Sequence, residues 1–305
     1  MIVDKIILFG NASSYDIYLH HLTYGFSNTN AQIIGFVTVE NIGYSYIDDV
    51  PIFSVMDLIS MDYDYLINLS SPDLGDYPSQ LFKMLNIPSD KIIPGMVLSL
   101  PCFNWDRYIK IRKNTPSIIT HHCLGGFFYN ALGLQFCSPL INMFIDSDSI
   151  PKLYLNIEHY FAQQPVHIGI GHDSIQDREY PILLLDDIKL HCNHYDSATE
   201  AIEAWQRRIT RVNYDNLFYE MSICSDTDYN LFQSIPSDKK IAFSFSQWKD
   251  ERVICFPCDK TDFYNTYQSP AELSNIIFSK KSIVLKNIDI FKLFTGESDY
   301  IRTRF

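Results

Sequence analysis

The sequence predicts an α/β protein made of two domains, and three features of its 305 residues support this prediction. Short apolar runs alternate with amphipathic segments over residues 1–100, which is typical of parallel strands joined by helical crossovers. This alternation breaks between Pro94 and Pro116. A second series of strand-like and helix-like segments then follows. We therefore predict one domain over residues 1–100 and a second over residues 101–305.

The composition narrows the class of function. Hydrophobic residues make up 47% of the chain and charged residues 20%, which is enough to bury a sizeable core. The net charge of −12 disfavours nucleic acids and anionic membrane surfaces, because both are bound through clustered lysine and arginine. No apolar run reaches the roughly 18 residues of a membrane span. The seven cysteines lack a regular spacing and suggest reduced thiols, so we expect a soluble cytoplasmic protein.

The first domain is predicted to open with a strand, a tight turn and a helix. Lys5–Phe9 is a short apolar run, Gly10–Ser14 is a turn, and Tyr15–Phe26 is an amphipathic segment. Gln32–Val39 reads as a second buried strand, with Glu40 at its carboxyl end. The other predicted elements of this domain are a return at 50–52, helices at 54–60 and 79–85, and strands at 64–69 and 92–93.

Four segments of the first domain carry a resemblance: K-I-I-L-F-G, I-I-G-F-V, V-P-I-F and K-I-I-P-G. Residues 5–94 resemble the amino-terminal Rossmann-like domain of sugar-modifying acyltransferases. The resemblance implies a Rossmann-like parallel sheet. It also implies that the turn after the first strand holds a sugar nucleotide. The candidate cofactors of the chain are therefore a nucleotide-sugar donor or a coenzyme.

The residues that would bind this cofactor are Gly10, Ser13, Ser14 and Glu40. The turn G-N-A-S-S keeps only the first glycine of a G-x-G-x-x-G pattern, so Ser13 and Ser14 would bind an anion together with the helix amino terminus. Glu40 would accept hydrogen bonds from a ribose. The alternatives are a solvated Glu40 and a first domain that acts as a scaffold or in homo-oligomer formation.

The second domain begins with the segment that concentrates reactive side chains. A β-branched run, Ser117–Thr120, leads into two histidines, a cysteine and a Gly-Gly pair. This order predicts a strand, a polar turn and a helix, with the reactive side chains at the carboxyl end of the strand, where open α/β sheets bind ligands. Backbone N–H groups at the helix start would lower the pKa of Cys123 and, at Gly125 and Gly126, bind an oxyanion.

Cys123 is therefore a candidate nucleophile, and His122 or His194 is the candidate general base. The alternatives are that Cys123 fills space in the core, or that its turn binds a ligand without covalent chemistry. A metal site is a further alternative, because seven of the nine histidines lie between positions 121 and 194. His191 and His194 would need a turn between them to share one ion.

The strongest predicted helix is Ser197–Asn213, which starts at a capping box formed by Ser197 and Glu200. Its last turns carry Arg208 and Arg211, which would bind phosphate or carboxylate, or else join a network of ion pairs. The remaining predicted elements are a helix at 148–161 and strands at 166–170, 182–192, 217–223, 240–244 and 252–256, which together predict a mixed sheet.

A C-x-x-C motif at Cys255 and Cys258 ends the last of these strands. A thioredoxin-like motif would instead lie at a helix start directly after a first strand. We therefore interpret this pair of cysteines as structural.

Three blocks of the second domain carry a second resemblance. They are I-I-T-H-H-C-L-G-G-F-F-Y with L-G-L-Q-F-C-S-P-L-I-N-M-F-I, Y-P-I-L-L-L-D-D-I-K-L-H-C-N-H-Y, and E-A-I-E-A-W-Q-R-R-I-T-R-V-N-Y-D-N-L-F. Residues 117–246 resemble a bacterial and archaeal family of unknown function that is labelled exopolysaccharide biosynthesis protein. The resemblance implies a role in the assembly of surface polysaccharide.

These observations lead to a hypothesis of group transfer onto a sugar or sugar nucleotide, and acyl transfer is one form that it could take. The site would combine the Cys123 turn, His194 and the arginine-bearing helix. The alternatives are a non-catalytic subunit that binds a nucleotide sugar or assists assembly, and a metal-dependent hydrolase. The residues that we assign to substrate binding are Gly125, Gly126, Asp187, Arg208, Arg211 and Asn213.

Overall fold

The computed structural model describes residues 3–39, 43, 45–71, 74–173, 177–255 and 287–301. The chain divides into two compact units. Unit 1 is Met1–Lys113 with Ala131–Gly133, and unit 2 is Asn114–Asn130 with Leu134–Phe305. The helix that follows the predicted boundary near residue 100, Trp105–Lys113, lies in unit 1. The structure confirms the α/β class.

Unit 1 contains a six-stranded sheet that is parallel except for one short edge strand. Its strands are β1 (Asp4–Phe9), β2 (Ala31–Thr38), β3 (Tyr46–Ile47), β4 (Val50–Ser54), β5 (Tyr65–Asn68) and β6 (Ile92–Pro94). They lie in the order β3-β4-β2-β1-β5-β6, and β3 pairs antiparallel with β4. Its helices are α1 (Ala12–Gly25), α2 (Tyr77–Met84) and α3 (Trp105–Lys113). Ile6–Phe9 are all fully buried, as expected for a central parallel strand.

The turn after β1 is shorter than predicted, because α1 begins at Ala12 and not at Tyr15. Asn11 and Ser14 form a capping box at its start: the Ser14 N–H donates to Asn11 Oδ1 at 3.1 Å, and the Asn11 N–H donates to Ser14 Oγ at 3.0 Å. Ile17, one of the apolar positions of the predicted helix, is 70% exposed. Because of this capping box, α1 begins closer to β1 than the sequence predicted.

The described residues of unit 2 form two sheets, so the predicted parallel and antiparallel strands both occur, but in separate sheets and not in one mixed sheet. A parallel sheet in the order β14-β13-β12-β7 consists of β7 (Ser117–Ile119), β12 (Leu217–Ile223), β13 (Lys240–Ser244) and β14 (Val253–Cys255). An antiparallel sheet in the order β8-β11-β10-β9 consists of β8 (Phe144–Ile145), β9 (Val166–Asp173), β10 (Arg178–Leu185) and β11 (Ile188–His191). Both sheets contribute to one buried cluster, which includes Ile119, Met221, Leu183 and Leu190.

Local turns explain why the antiparallel strands separate from the parallel ones. Two residues, Asp186 and Asp187, join β10 to β11, and Asp186 has a positive φ of 55°. A connection this short allows only antiparallel pairing, whereas parallel neighbours need a long crossover. β12 and β13 pair in parallel, and the helix at Asp226–Ser234 separates them.

The helices of unit 2 are α4 (Leu124–Ala131), α5 (Ile150–Leu155), α6 (Ile157–Phe161), α7 (Ala198–Ile209), α8 (Asp226–Ser234) and α9 (Ile290–Thr295). The helix predicted at 148–161 is interrupted at Asn156, whose φ of −137° is not helical. Ser197 caps α7 as predicted and accepts the Glu200 N–H at 3.2 Å. This helix ends at Ile209, so Arg211 and Asn213 lie beyond it.

Candidate functional site

A thiol and an imidazole that are 71 residues apart meet in unit 2. The Sγ atom of Cys123 lies 3.3 Å from Nε2 of His194. Cys123 is the last residue before α4, and His194 follows β11. The structure therefore brings together the predicted nucleophile and one of its two predicted bases.

The glycine pair after Cys123 lets α4 approach the end of β7 closely. A Cβ atom on Gly125 would lie 2.7 Å from Cγ2 of Thr120, and one on Gly126 would lie 3.2 Å from Cγ2 of Ile141. Side chains at these positions would push the helix away from the strand. The two glycines thus have a packing role, and their backbone N–H groups lie in the first turn of the helix, where no intrahelical acceptor exists.

The pKa values of the pair differ from the sequence prediction. Burial raises the pKa of the Cys123 thiol to about 11, although its residue is partly exposed. Burial, followed by the nearby Arg178, lowers the pKa of His194 below 6.5, against a weaker opposite effect of Asp173. The raised pKa of Cys123 contradicts the expected resting thiolate, because burial of the sulfur favours the neutral thiol. At neutral pH the pair is a thiol and a neutral imidazole.

His122 does not contact the thiol, which contradicts its predicted role as a base. Its ring is buried, and its Nδ1 accepts the backbone N–H of Leu124 at 3.2 Å. The ring proton must then lie on Nε2, which is 3.1 Å from Oε2 of Glu220. The lone pair that a base needs is already occupied by the first N–H of α4.

Glu220 is a site residue that the sequence analysis missed. It lies in the middle of β12 with 1% exposure, and its Oε2 accepts the Thr120 hydroxyl at 2.7 Å. The ring Nε2–H of His122 is close to Glu220 Oε2 but poorly aligned for a hydrogen bond. The other carboxylate oxygen, Oε1, has no hydrogen-bond partner among the residues that the structure describes. A glutamate inside the apolar strand L-F-Y-E-M-S-I was the available signal, because core strands rarely contain a charge.

His121 is also buried and is attached to the same strand. Its Nδ1 lies 3.1 Å from the Tyr154 hydroxyl, which donates to the backbone oxygen of Glu220 at 2.7 Å. Since the tyrosine proton is used there, Nδ1 of His121 carries the proton of the ring and donates to the tyrosine oxygen. Burial, with the neighbouring His122 second, lowers the pKa of His121 well below 6.5.

Two of the predicted substrate-binding residues have structural partners. Arg208 is buried, and its Nη1 donates to the Ile141 carbonyl oxygen at 3.0 Å and to the Tyr195 hydroxyl at 2.5 Å. Asp187 accepts from Lys152 Nζ and from the Tyr160 hydroxyl, each at 2.7 Å. Arg208 fixes the loop that packs on Gly126, and Asp187 ties the β10–β11 turn to α5 and α6.

Asn213 and Arg211 have other neighbours than the Cys123 thiol among the contacts of the described residues. The Asn213 N–H donates to Ser117 Oγ at 2.7 Å, which places it at the amino end of β7, whereas Cys123 follows the carboxyl end. Arg211 is close enough to Cys137 to lower its pKa, although burial of that thiol has the larger, opposite effect. Asn213 therefore lies at the opposite end of β7 from Cys123, and a place for Arg211 in the Cys123 site stays a prediction.

In unit 1, Ser14 of the predicted cofactor site bonds to the start of its own helix. Ser14 is 2% exposed and its hydroxyl is bonded to Asn11, so it does not offer the predicted anion contact. A Cβ on Gly10 would lie 2.5 Å from that hydroxyl oxygen, and Ser13 is exposed. Glu40 lies outside the described residues.

The other histidines and cysteines that the sequence singled out were considered as ligands of a metal ion or as a redox pair. His191 stacks on Phe144, and its Nε2 lies 3.0 Å from Asp146. Within the described part of the chain, no group of three histidine, cysteine or acidic side chains could hold a metal ion. Cys255 lies at the end of β14, and Cys258 lies outside the described residues.

Comparison with known families gives matches over both parts of the chain. Residues 96–292 match a family described as Domain of unknown function (DUF1919), and residues 2–93 match one described as C2185-like, N-terminal. A relative from Haemophilus influenzae, described as an uncharacterized protein, is 29% identical over 138 residues, or 44% of this chain. The match spans 64% of that relative. Among the described residues, no helix has the length and apolar character needed to cross a membrane.

Proposed function

We propose that this chain, which belongs to the family described as Domain of unknown function (DUF1919), transfers an acyl group to a sugar or sugar nucleotide. The observation that carries the proposal is the 3.3 Å contact between Cys123 Sγ and His194 Nε2. A thiol beside a neutral imidazole, at the carboxyl end of a parallel strand, is the arrangement needed for a nucleophile and its base.

The first half-reaction transfers the acyl group from a thioester donor to the protein. His194 Nε2 takes the proton of Cys123 while the sulfur attacks the acyl carbon. A bond forms between this carbon and Sγ, and the bond to the donor's sulfur breaks. The departing thiolate takes the proton from His194 and leaves as a thiol, so the imidazole is neutral again.

The second half-reaction transfers the acyl group to the acceptor. A sugar hydroxyl gives its proton to His194, and its oxygen attacks the thioester carbon. The bond to Cys123 breaks, and the cysteine sulfur takes back the proton from the imidazolium. The backbone N–H groups of Gly125 and Gly126 would stabilise the oxyanion in both steps, since the Leu124 N–H is bonded to His122.

The sugar acceptor and the role in surface-polysaccharide assembly rest on the resemblance of residues 117–246 to an exopolysaccharide biosynthesis family. The resemblance of residues 5–94 to a Rossmann-like domain supports a nucleotide-sugar ligand for unit 1. The bonded Ser14 hydroxyl means that such a ligand would depend on backbone groups and Ser13.

One observation favours a second function, which is binding without catalysis. The pKa of Cys123 is raised to about 11, so a thiolate is rare at neutral pH and the protein depends wholly on His194 to remove the proton. A subunit that holds a sugar nucleotide and transfers nothing would need no such proton acceptor.

The test is covalent labelling by a thioester. The purified protein is incubated with acetyl-coenzyme A, and the added mass is measured on the intact chain and located by peptide mapping. We expect one acetyl group on Cys123 and none in Cys123→Ala. The matched control is Cys224→Ala, which removes an exposed thiol of the same unit and should label normally. Equal labelling of Cys123→Ala and the natural protein would reject the transferase and favour the binding protein.

A further inference from the structure

A buried carboxylate lies on an inner strand of the parallel sheet, next to the turn that carries Cys123. Glu220 lies on β12, between β13 and β7, and its side chain is fully buried. Taking a carboxylate out of water is costly unless its oxygens are bonded. One oxygen of Glu220 accepts the Thr120 hydroxyl at 2.7 Å and lies 3.1 Å from Nε2 of His122, and both residues belong to the segment just before Cys123.

His122 connects this carboxylate to the start of α4. On one side, its Nε2 lies 3.1 Å from Glu220 Oε2. On the other side, its Nδ1 accepts the Leu124 N–H at 3.2 Å. Leu124 directly follows Cys123, so the histidine ring links the buried strand to the residue beside the thiol.

A second connection joins the same turn to the same strand. His121 donates to Tyr154, and Tyr154 donates to the Glu220 carbonyl oxygen. The two residues before Cys123 are therefore both linked to Glu220. His122 contacts the Glu220 carboxylate, and His121 is linked through Tyr154 to the Glu220 carbonyl oxygen. Such a double attachment restricts the position of the thiol relative to His194.

We propose that Glu220 and His122 are positioning residues that hold the Cys123 thiol against His194. The inference rests on the proposed function, in which Cys123 is the nucleophile. Glu220 and His122 touch neither the thiol nor a substrate in this arrangement. They act through the first backbone N–H of α4.

The test measures the alkylation rate of Cys123 with iodoacetamide at neutral pH, by mass spectrometry of its peptide. Iodoacetamide needs no acyl donor, so the measurement remains informative even if the protein takes up no acyl group. The variants are Glu220→Gln, His194→Gln and the double variant. The exposed Cys224, which directly follows β12, reports on the integrity of that strand in the same sample.

We expect Glu220→Gln to lower the rate at Cys123 about tenfold, because small displacements of a reacting group cost at least this much. The rate at Cys224 should not change. In the His194→Gln background, the loss caused by Glu220→Gln should shrink to less than about twofold, because the contact that it disturbs is already absent. This coupling distinguishes positioning from a general loss of stability.

Two results would overturn the inference. One is a natural rate in Glu220→Gln, and the other is an equal loss from Glu220→Gln in both backgrounds. Thr120→Val provides a second variant if Glu220→Gln does not fold, because it removes the hydroxyl donor to Oε2 at nearly constant volume. Thr120→Ser keeps this donor and should restore the rate; failure of this rescue also rejects the inference.

Discussion

The turn after β1 and the turn after β7 each join the carboxyl end of a parallel strand to a helix, but their side chains have different partners. In the first turn, Asn11 and Ser14 bond to each other and to the start of their own helix. In the second, Cys123 contacts His194, and His122 lies beside Glu220 of a neighbouring strand. Position at the carboxyl end of a strand therefore does not make a site. The side chains must also reach groups that are distant in the sequence.

The largest expected difference between the two turns comes from removing His194, the proton acceptor at the second turn. His194→Gln should lower acyl transfer about a hundredfold, because a positioned general base contributes about that much. The matched control is His167→Gln, which changes an exposed histidine of β9 and should leave the rate unchanged. The rate is measured as acetyl groups transferred per minute from acetyl-coenzyme A; an equal rate in both variants would contradict the assignment of the base.

The glycines of the second turn provide a test of packing. Gly125→Ala would place a Cβ 2.7 Å from Cγ2 of the buried Thr120, so we expect a loss of about 2 kcal/mol in the free energy of unfolding. Gly126→Ala meets Ile141 at 3.2 Å and should cost less, because the isoleucine can move slightly. Urea unfolding measures both losses. A larger loss for Gly126→Ala would show that α4 packs differently.

Acid should affect the second turn more than the first, because His121 is buried there in its neutral form. Its folded-state pKa lies well below 6.5, so the unfolded chain binds more protons once the pH falls below 6.5. Its contribution to stability is present above pH 6.5 and decreases by at most about 1.4 kcal/mol per pH unit below it. Unfolding free energies of the natural protein and His121→Gln, compared on both sides of pH 6.5, measure this contribution; parallel pH curves would contradict it.

The smallest expected effect is on the first turn, where the capping box serves only its own helix. Asn11→Ala removes the side-chain acceptor of the Ser14 N–H and should cost about 1 kcal/mol. Faster hydrogen exchange of the first α1 amides would report this loss. Cys123 should be alkylated at its natural rate in this variant, and a changed rate would mean that the two turns are not independent.

The sequence was sufficient to predict the strand, polar turn and helix that hold Cys123, because that pattern is local. It named His194 as a candidate base on residue type, but the contact depends on where the segment after β11 packs against α4. The sequence analysis missed Glu220, because its burial between two other strands is visible only in the structure. The predicted end of α7 at Asn213 was wrong, because the helix ends at Ile209 and helix ends are weakly marked in this sequence.

The central claim is that a neutral His194 removes the proton of a thiol whose own pKa is high. The most direct measurement is the pH dependence of Cys123 alkylation in the natural protein and in His194→Gln. In the natural protein, the rate at neutral pH should depend on His194 and fall as the pH drops through the lowered pKa of this histidine. His194→Gln should show only the rise toward pH 11. Identical curves in the two proteins, with a midpoint below pH 7, would mean that His194 does not remove the proton.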